Sequence, residues 1–138
     1  MTGEKTQNNC DIINTIETSA VTLRMRNDGI VHVTFKKDTI FDIEMQMELL
    51  RLSTEITGGK KSNFIYDAEE GVTITKEARD NATAIEHLSV TKATAVVANN
   101  LAYRIIANFY VQFNKPVTPF KVVDSLDNGI AWLKTLPE

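Results

Sequence analysis

The chain has 138 residues, of which 43% are hydrophobic and 24% charged, with a net charge of -3 and a pI near 5.4. That length suits one domain with its own core, and the acidic balance argues against a nucleic-acid partner, whose phosphates call for concentrated Lys and Arg. A single cysteine, Cys10, excludes an intramolecular disulfide and a thiolate metal cage, and no run approaches the ~18 apolar residues of a membrane span.

Residues 1–18 read as a polar leader, with disorder to about residue 10 and then an irregular or strand-like lead-in, before one domain over 19–138. No signal peptide or lipidation motif is visible, so the expected location is the cytoplasm. From Ala20 the pattern has period two. Val21, Leu23 and Met25 alternate with Thr22, Arg24 and Arg26, and Val31, Val33 and Phe35 alternate with His32 and Thr34. Asn27-Asp28-Gly29 between them is a hairpin signal, with Asp-Gly suited to positive φ. His32 falls on the polar face, as a solvated or cross-strand residue.

Asp38, Thr39 or Asp42 opens a helix. Two neighbouring stripes, Ile43-Met47-Leu50 and Met45-Leu49-Leu52-Ile56, give it a wide apolar face for covering a sheet, with the methionines as core filling. Gly58-Gly59 stops it. Asn63 to Asp67 is a strand whose continuous Phe64-Ile65-Tyr66 implies cover on both faces. After an acidic loop, Thr75 caps a helix to about Leu88, with Ala78, Ala82, Ile85 and Leu88 inward and His87 near the last carbonyls. Val90 to Ala98 is a strand, and Asn99-Asn100 leads into a strongly apolar helix from Leu101 to Phe113. Val117 to Val123 is a strand that Pro119 assigns to an edge. Ser125 caps a closing helix, Leu126 to Leu136, in which Trp132 packs and which Pro137 ends.

The order β-β-α-β-α-β-α-β-α makes the fold α/β, or α+β by stricter bookkeeping: a mixed sheet with an antiparallel edge, covered by helices. The strand-Asp-loop unit at Ile65-Tyr66-Asp67 and the ending Phe120 to Leu133 resemble the SpoIIAA-like branch of the STAS fold, itself related to CRAL-TRIO lipid carriers. The resemblance covers residues 20 to 136. It implies a non-catalytic regulatory or interaction domain. Anti-sigma factor antagonists of this class carry a phosphorylated serine in an Asp-Ser-Ser-Gly pattern. The matching stretch here, Asp67-Ala68-Glu69-Glu70-Gly71, has no hydroxyl there, and Glu69 supplies a fixed charge near that position.

Catalysis would have to use Asp67, Glu69 and Glu70 with His87 as a base, but no phosphate loop, zinc helix or serine elbow accompanies them. A receiver domain is set aside as well, since only Asp67 fits its scheme. Three loop carboxylates without other donors are also a weak cation signal. The expectation is therefore no enzyme, no cofactor and no metal. The candidate partner or ligand loop comprises Asp67, Glu69, Glu70, Gly71, Thr73 and Thr75. A second candidate surface, for an apolar small molecule or a homodimer partner, comprises Leu101, Tyr103, Ile106, Phe109, Tyr110 and Phe113. The partner expected at the loop is another protein.

Overall fold

Alternation builds the first part of the fold. The computed structural model describes residues 10–101, 103–104 and 116–137. The first strand, β1 (Ile12–Glu17), pairs antiparallel with β2 (Val21–Arg26), which pairs antiparallel with β3 (Ile30–Phe35). The sheet thus reaches back into the stretch read as leader, because Ile12 and Ile16 suffice to register β1 on β2. Residues 1–9, for which disorder was expected, lie outside the described residues. In the β2–β3 turn only Gly29 has positive φ, at 83°, and its N–H donates to the Arg26 carbonyl at 3.0 Å. Asp28 stays in ordinary backbone space and uses its carboxylate elsewhere.

A two-residue strand, β4 (Ile40–Phe41), precedes helix α1 (Ile43–Thr57). Of the three candidate caps Asp42 takes the role, its Oδ1 accepting the Met45 N–H at 2.9 Å. Gly58 ends the helix at φ 66°, its N–H and that of Gly59 returning to Glu55 and Thr54. The wide apolar face divides. Leu49, Leu52 and Ile56 are buried, whereas Ile43 and Met47 are 38% and 42% exposed. The sheet covers only one of the two stripes.

Strand β5 (Ser62–Ala68) is followed by β6 (Thr73–Ile74), helix α2 (Lys76–Ala84) and a 3-10 turn over Glu86–Leu88. Thr75 caps α2 as expected, accepting from Ala78 N–H at 3.1 Å. The helix ends earlier than its sequence pattern, and the tighter turn turns Leu88 outward, to 54% exposure. Strands β7 (Thr91–Val97) and β8 (Phe120–Val123) and helix α3 (Leu126–Lys134) complete the described chain. Ser125 caps α3 by accepting from Asn128 N–H.

The main sheet runs β1-β2-β3-β5-β7-β8, parallel from β3 onward, with β4 and β6 forming a small parallel pair beside it. Among the described residues β8 is the end strand, as Pro119 suggested, but it starts at Phe120, so the proline precedes the strand expected to contain it. One face buries Val21, Leu23, Val31, Val33 and Phe64 beneath α1. The other packs Ile30, Ile65, Ala93 and Ala95 against Ile130 and Leu133 of α3. A Cβ on Gly129 would collide with the Ile65 side chain and crowd Val123, so glycine sets the close approach of α3.

Candidate functional site

The loop after β5 is fastened strand by strand. Glu69 N–H donates to the Phe35 carbonyl, and Asp38 N–H to the Glu70 carbonyl, at 2.9 and 3.0 Å. Thr73 and Thr75 N–H groups then donate to Thr39 and Phe41. Gly71 has φ 82°, and a Cβ there would strike the Asp38 carboxylate, so only glycine closes this turn. Asp38 itself sits at φ 64°. The loop's conformation is a paired lobe rather than a loose acidic excursion.

Within it the predicted residues part company. Glu69 turns back, its Oε1 accepting the Lys37 N–H at 2.8 Å. The Glu70 side chain is 87% exposed, 3.9 Å from Lys37 Nζ. Thr73 is exposed in β6, Thr75 is a cap, and Asp67 lies on the α3 face of the sheet. Among the described residues no three His, Cys, Asp or Glu side chains gather as cation ligands.

Asp67 meets a residue the sequence had placed on a polar face. Parallel register sets Thr34 beside Asp67 and His32 one step back, and His32 Nε2 reaches Asp67 Oδ2 at 3.0 Å. Burial raises the Asp67 carboxyl, but the hydrogen bonds and charge of His32, with help from Thr34 and Arg24, outweigh it and hold it below its ordinary value. Asp67 Oδ1 is buried without a hydrogen-bond partner. Thr34 Oγ1 approaches the same Nε2 at 3.4 Å. Two groups sharing one ring nitrogen do not form a relay through the imidazole, which needs a partner on each nitrogen.

The α1–α2 side holds a cavity of about 310 Å³. Phe35, Phe41, Tyr66 and Val72 come to it from the sheet and the paired lobe, Leu49, Leu50, Ala78, Ala82 and Ile85 from the helices, and Val96 and Phe120 from β7 and β8. Phe35 and Phe41 meet edge to face at 5.1 Å, and Phe35 stacks on Tyr66 at 6.2 Å. The buried polar group between α1 and α2 is satisfied internally: Gln46 Nε2 donates to the Ala78 carbonyl, and Asn81 Nδ2 donates to Gln46 Oε1, each at 2.8 Å. The lining is largely apolar, with Asp67, Arg79 and Glu86 as its charged members.

Tyr103 joins the two predicted surfaces. Its ring lines the cavity, its hydroxyl donates to the Glu69 carbonyl at 3.2 Å, and its oxygen accepts Val72 N–H at 3.1 Å. Asn100 Oδ1 accepts the Tyr103 N–H and caps the helical start that Asn99-Asn100 was expected to lead into. Leu101 is 72% exposed. Ile106, Phe109, Tyr110 and Phe113 lie outside the described residues.

A buried ionic cluster escaped the sequence reading. Arg26, 1% exposed, points Nε and Nη2 at Asp28, the shorter contact 2.7 Å. Asp28 also accepts from Ile30 N–H, from Cys10 Sγ at 3.1 Å and from Lys134 Nζ at 3.3 Å. Burial raises the Asp28 carboxyl, but these donors, Arg26 first, hold it far below its usual range. Burial, with the Asp28 carboxylate, pushes the Cys10 thiol up, which makes it a structural donor rather than a nucleophile. Arg26 continues the polar half of an alternating strand, so no local signal marks its burial.

This architecture is that of a SpoIIAA-like α/β domain. A crystal structure of an uncharacterised protein of the DUF3478 family with a SpoIIAA-like fold, from Shewanella loihica PV-4, superposes with a TM-score of 0.56 over 94% of this chain and 99% of that one, at 13% identity. The chain belongs to the family described as a domain of unknown function, DUF7793, which matches residues 23–137. A comparison with curated proteins finds no match. Among the described residues no helix is long and apolar enough to cross a membrane.

Proposed function

We propose that this chain is a non-catalytic binding module that takes a small apolar molecule into the cavity between its sheet and α1–α2. The observation that carries the reading is the cavity itself, about 310 Å³, at the lower end of the roughly 300–1,000 Å³ common for ligand sites. The divergence of Asp67, Glu69 and Glu70 favours binding over acid-base chemistry, which needs converging groups. Native mass spectrometry of protein purified from its own cells tests this. A small organic adduct is expected, and it should vanish in Ala82→Phe, which fills the cavity from α2. Protein mass alone would contradict the reading.

A regulatory interaction with a protein partner is the second reading, supported by the rim of the same site. Ile40 and Ile74, 62% and 38% exposed, ride on the β4–β6 lobe beside exposed Glu70. In this reading Glu69 is a structural charge rather than a mimic of phosphoserine, since its carboxylate holds the Lys37 amide. Glu70→Lys and Ile40→Asp should each weaken capture of such a partner without changing the circular dichroism; unchanged capture would remove this reading. A homodimer through the surface that includes exposed Leu101 belongs to the same proposal, and the native mass reports it directly.

A further inference from the structure

The opposite face of the sheet, at its β8 margin, carries a second site. An open groove of about 660 Å³ runs between β8 and α3. One wall is the consecutive residues Lys121 to Asp124. The other is a stripe of α3, Asn128, Ala131, Trp132 and Thr135, at the i, i+3, i+4, i+7 spacing of one helix face. Arg104 closes one side.

The strand wall is a sheet edge. Among the described residues β8 pairs with β7 alone. The Pro119 and Val123 carbonyls accept from Thr94 and Ala98 N–H at 2.9 and 2.8 Å. Odd positions of β8 therefore turn their backbone groups toward β7, and Val122 between them turns its N–H and C=O away, toward the open edge. A strand edge facing a helix across a groove is the geometry by which an extended peptide adds to a sheet: the backbone supplies hydrogen bonds and the helix supplies side-chain contacts. The charges select the peptide. Lys121 and Arg104 are both exposed, Arg104 with its Nη2 donating to the Ala98 carbonyl at 3.3 Å, and among the described lining they outnumber the one carboxylate, Asp124, which accepts from Asn128 Nδ2 at 2.6 Å.

We infer that the β8–α3 groove docks an extended acidic peptide segment of a partner protein, pairing its backbone with Val122, laying an apolar side chain on Trp132 and placing carboxylates at Lys121 and Arg104. Trp132 is the chain's single tryptophan, so its fluorescence reports on this groove alone.

The test uses the full chain and two labelled probes, a short peptide of alternating valine and glutamate and its twin of valine and lysine. Fluorescence anisotropy should show the acidic peptide binding roughly tenfold tighter than the twin, the margin two exposed ion pairs supply. Binding should shift Trp132 emission and slow hydrogen exchange at the Val122 amide. Ala131→Arg, at an exposed position, should block binding, and Lys121→Glu with Arg104→Glu should reverse the preference. Equal affinity for the two peptides, or binding that leaves Trp132 and Val122 unchanged, would overturn the inference. So would a dimer that Ala131→Arg converts to monomer without any effect of peptide, since the groove would then hold a second copy. Because Ala82 lines the cavity on the other face of the sheet and does not line the groove, Ala82→Phe should leave peptide affinity intact, which keeps the fate of this site separate from that of the cavity.

Discussion

On the α3 side of the sheet, Gly129 lets helix backbone settle against Ile65, Val123 and Ala95, with Ile130 and Leu133 each 1% exposed. On the α1–α2 side, aromatic and aliphatic residues surround a space of about 310 Å³. Protein interiors are normally packed like crystals, and unfilled volume forfeits dispersion contacts. Among the described residues, the same strands thus carry a tight interface on one face and a hollow one on the other. The contrast argues that the hollow face follows from where its side chains are placed and is no general looseness of the fold.

The polar cluster beneath the tight face gives the largest expected effect. Asp28→Ala removes the carboxylate that the buried Arg26 Nε and Nη2 meet, a loss of about 3–5 kcal/mol for a broken buried pair, read from urea unfolding. A loss below about 1 kcal/mol would mean that water or other groups already neutralise Arg26. Next come paired truncations across the sheet. Leu133→Ala should cost about 2–5 kcal/mol, while Leu50→Ala, beside the cavity, should fall at or below the low end of that range, because less packing is lost there. Equal costs would erase the contrast between the faces.

Acid titration probes the same tight side. Asp28 and Asp67 both have folded pKa values held below the ordinary carboxylate range, so the unfolded chain binds protons more readily as pH falls. Their stabilisation is complete above the unfolded value of about 4 and is lost as pH drops through the lowered folded values. Asp67→Asn should flatten the part of this slope that belongs to the His32 pair; an unaltered slope would dissociate that pair from acid stability. The smallest effect belongs to the hollow side. Tyr103→Phe removes the hydroxyl between Glu69 and Val72, at a cost of about 0.5–1.5 kcal/mol, and should speed exchange of the Val72 amide. Unchanged exchange there would show that the β4–β6 lobe holds without the tyrosine.

Much of the fold was legible because its signals are local. Alternation in Val21 to Phe35, the caps at Thr75 and Ser125, Gly58-Gly59 and the edge proline each depend on a few neighbouring residues. The site was less legible because it depends on register. Sequence offers no sign that Thr34 aligns with Asp67, which turns that carboxylate toward His32 and away from Glu70. Nor does it show that Tyr103 reaches back to Val72, 31 residues earlier. Arg26 alternates like a surface residue and is nonetheless buried, since the turn that follows supplies its counter-charge. The 3-10 turn after α2 likewise breaks a helical stripe that continues smoothly in sequence to Leu88.

The most direct test of the hollow face is a titration of the intact protein with Nile red, a neutral apolar fluorophore, beside Ala82→Phe. The account predicts saturable binding at one dye per chain, a blue-shifted emission, and loss of both in the variant while its circular dichroism and urea midpoint stay close to the parent's. Absence of binding, or binding that Ala82→Phe leaves untouched, would contradict the claim that this cavity receives an apolar molecule.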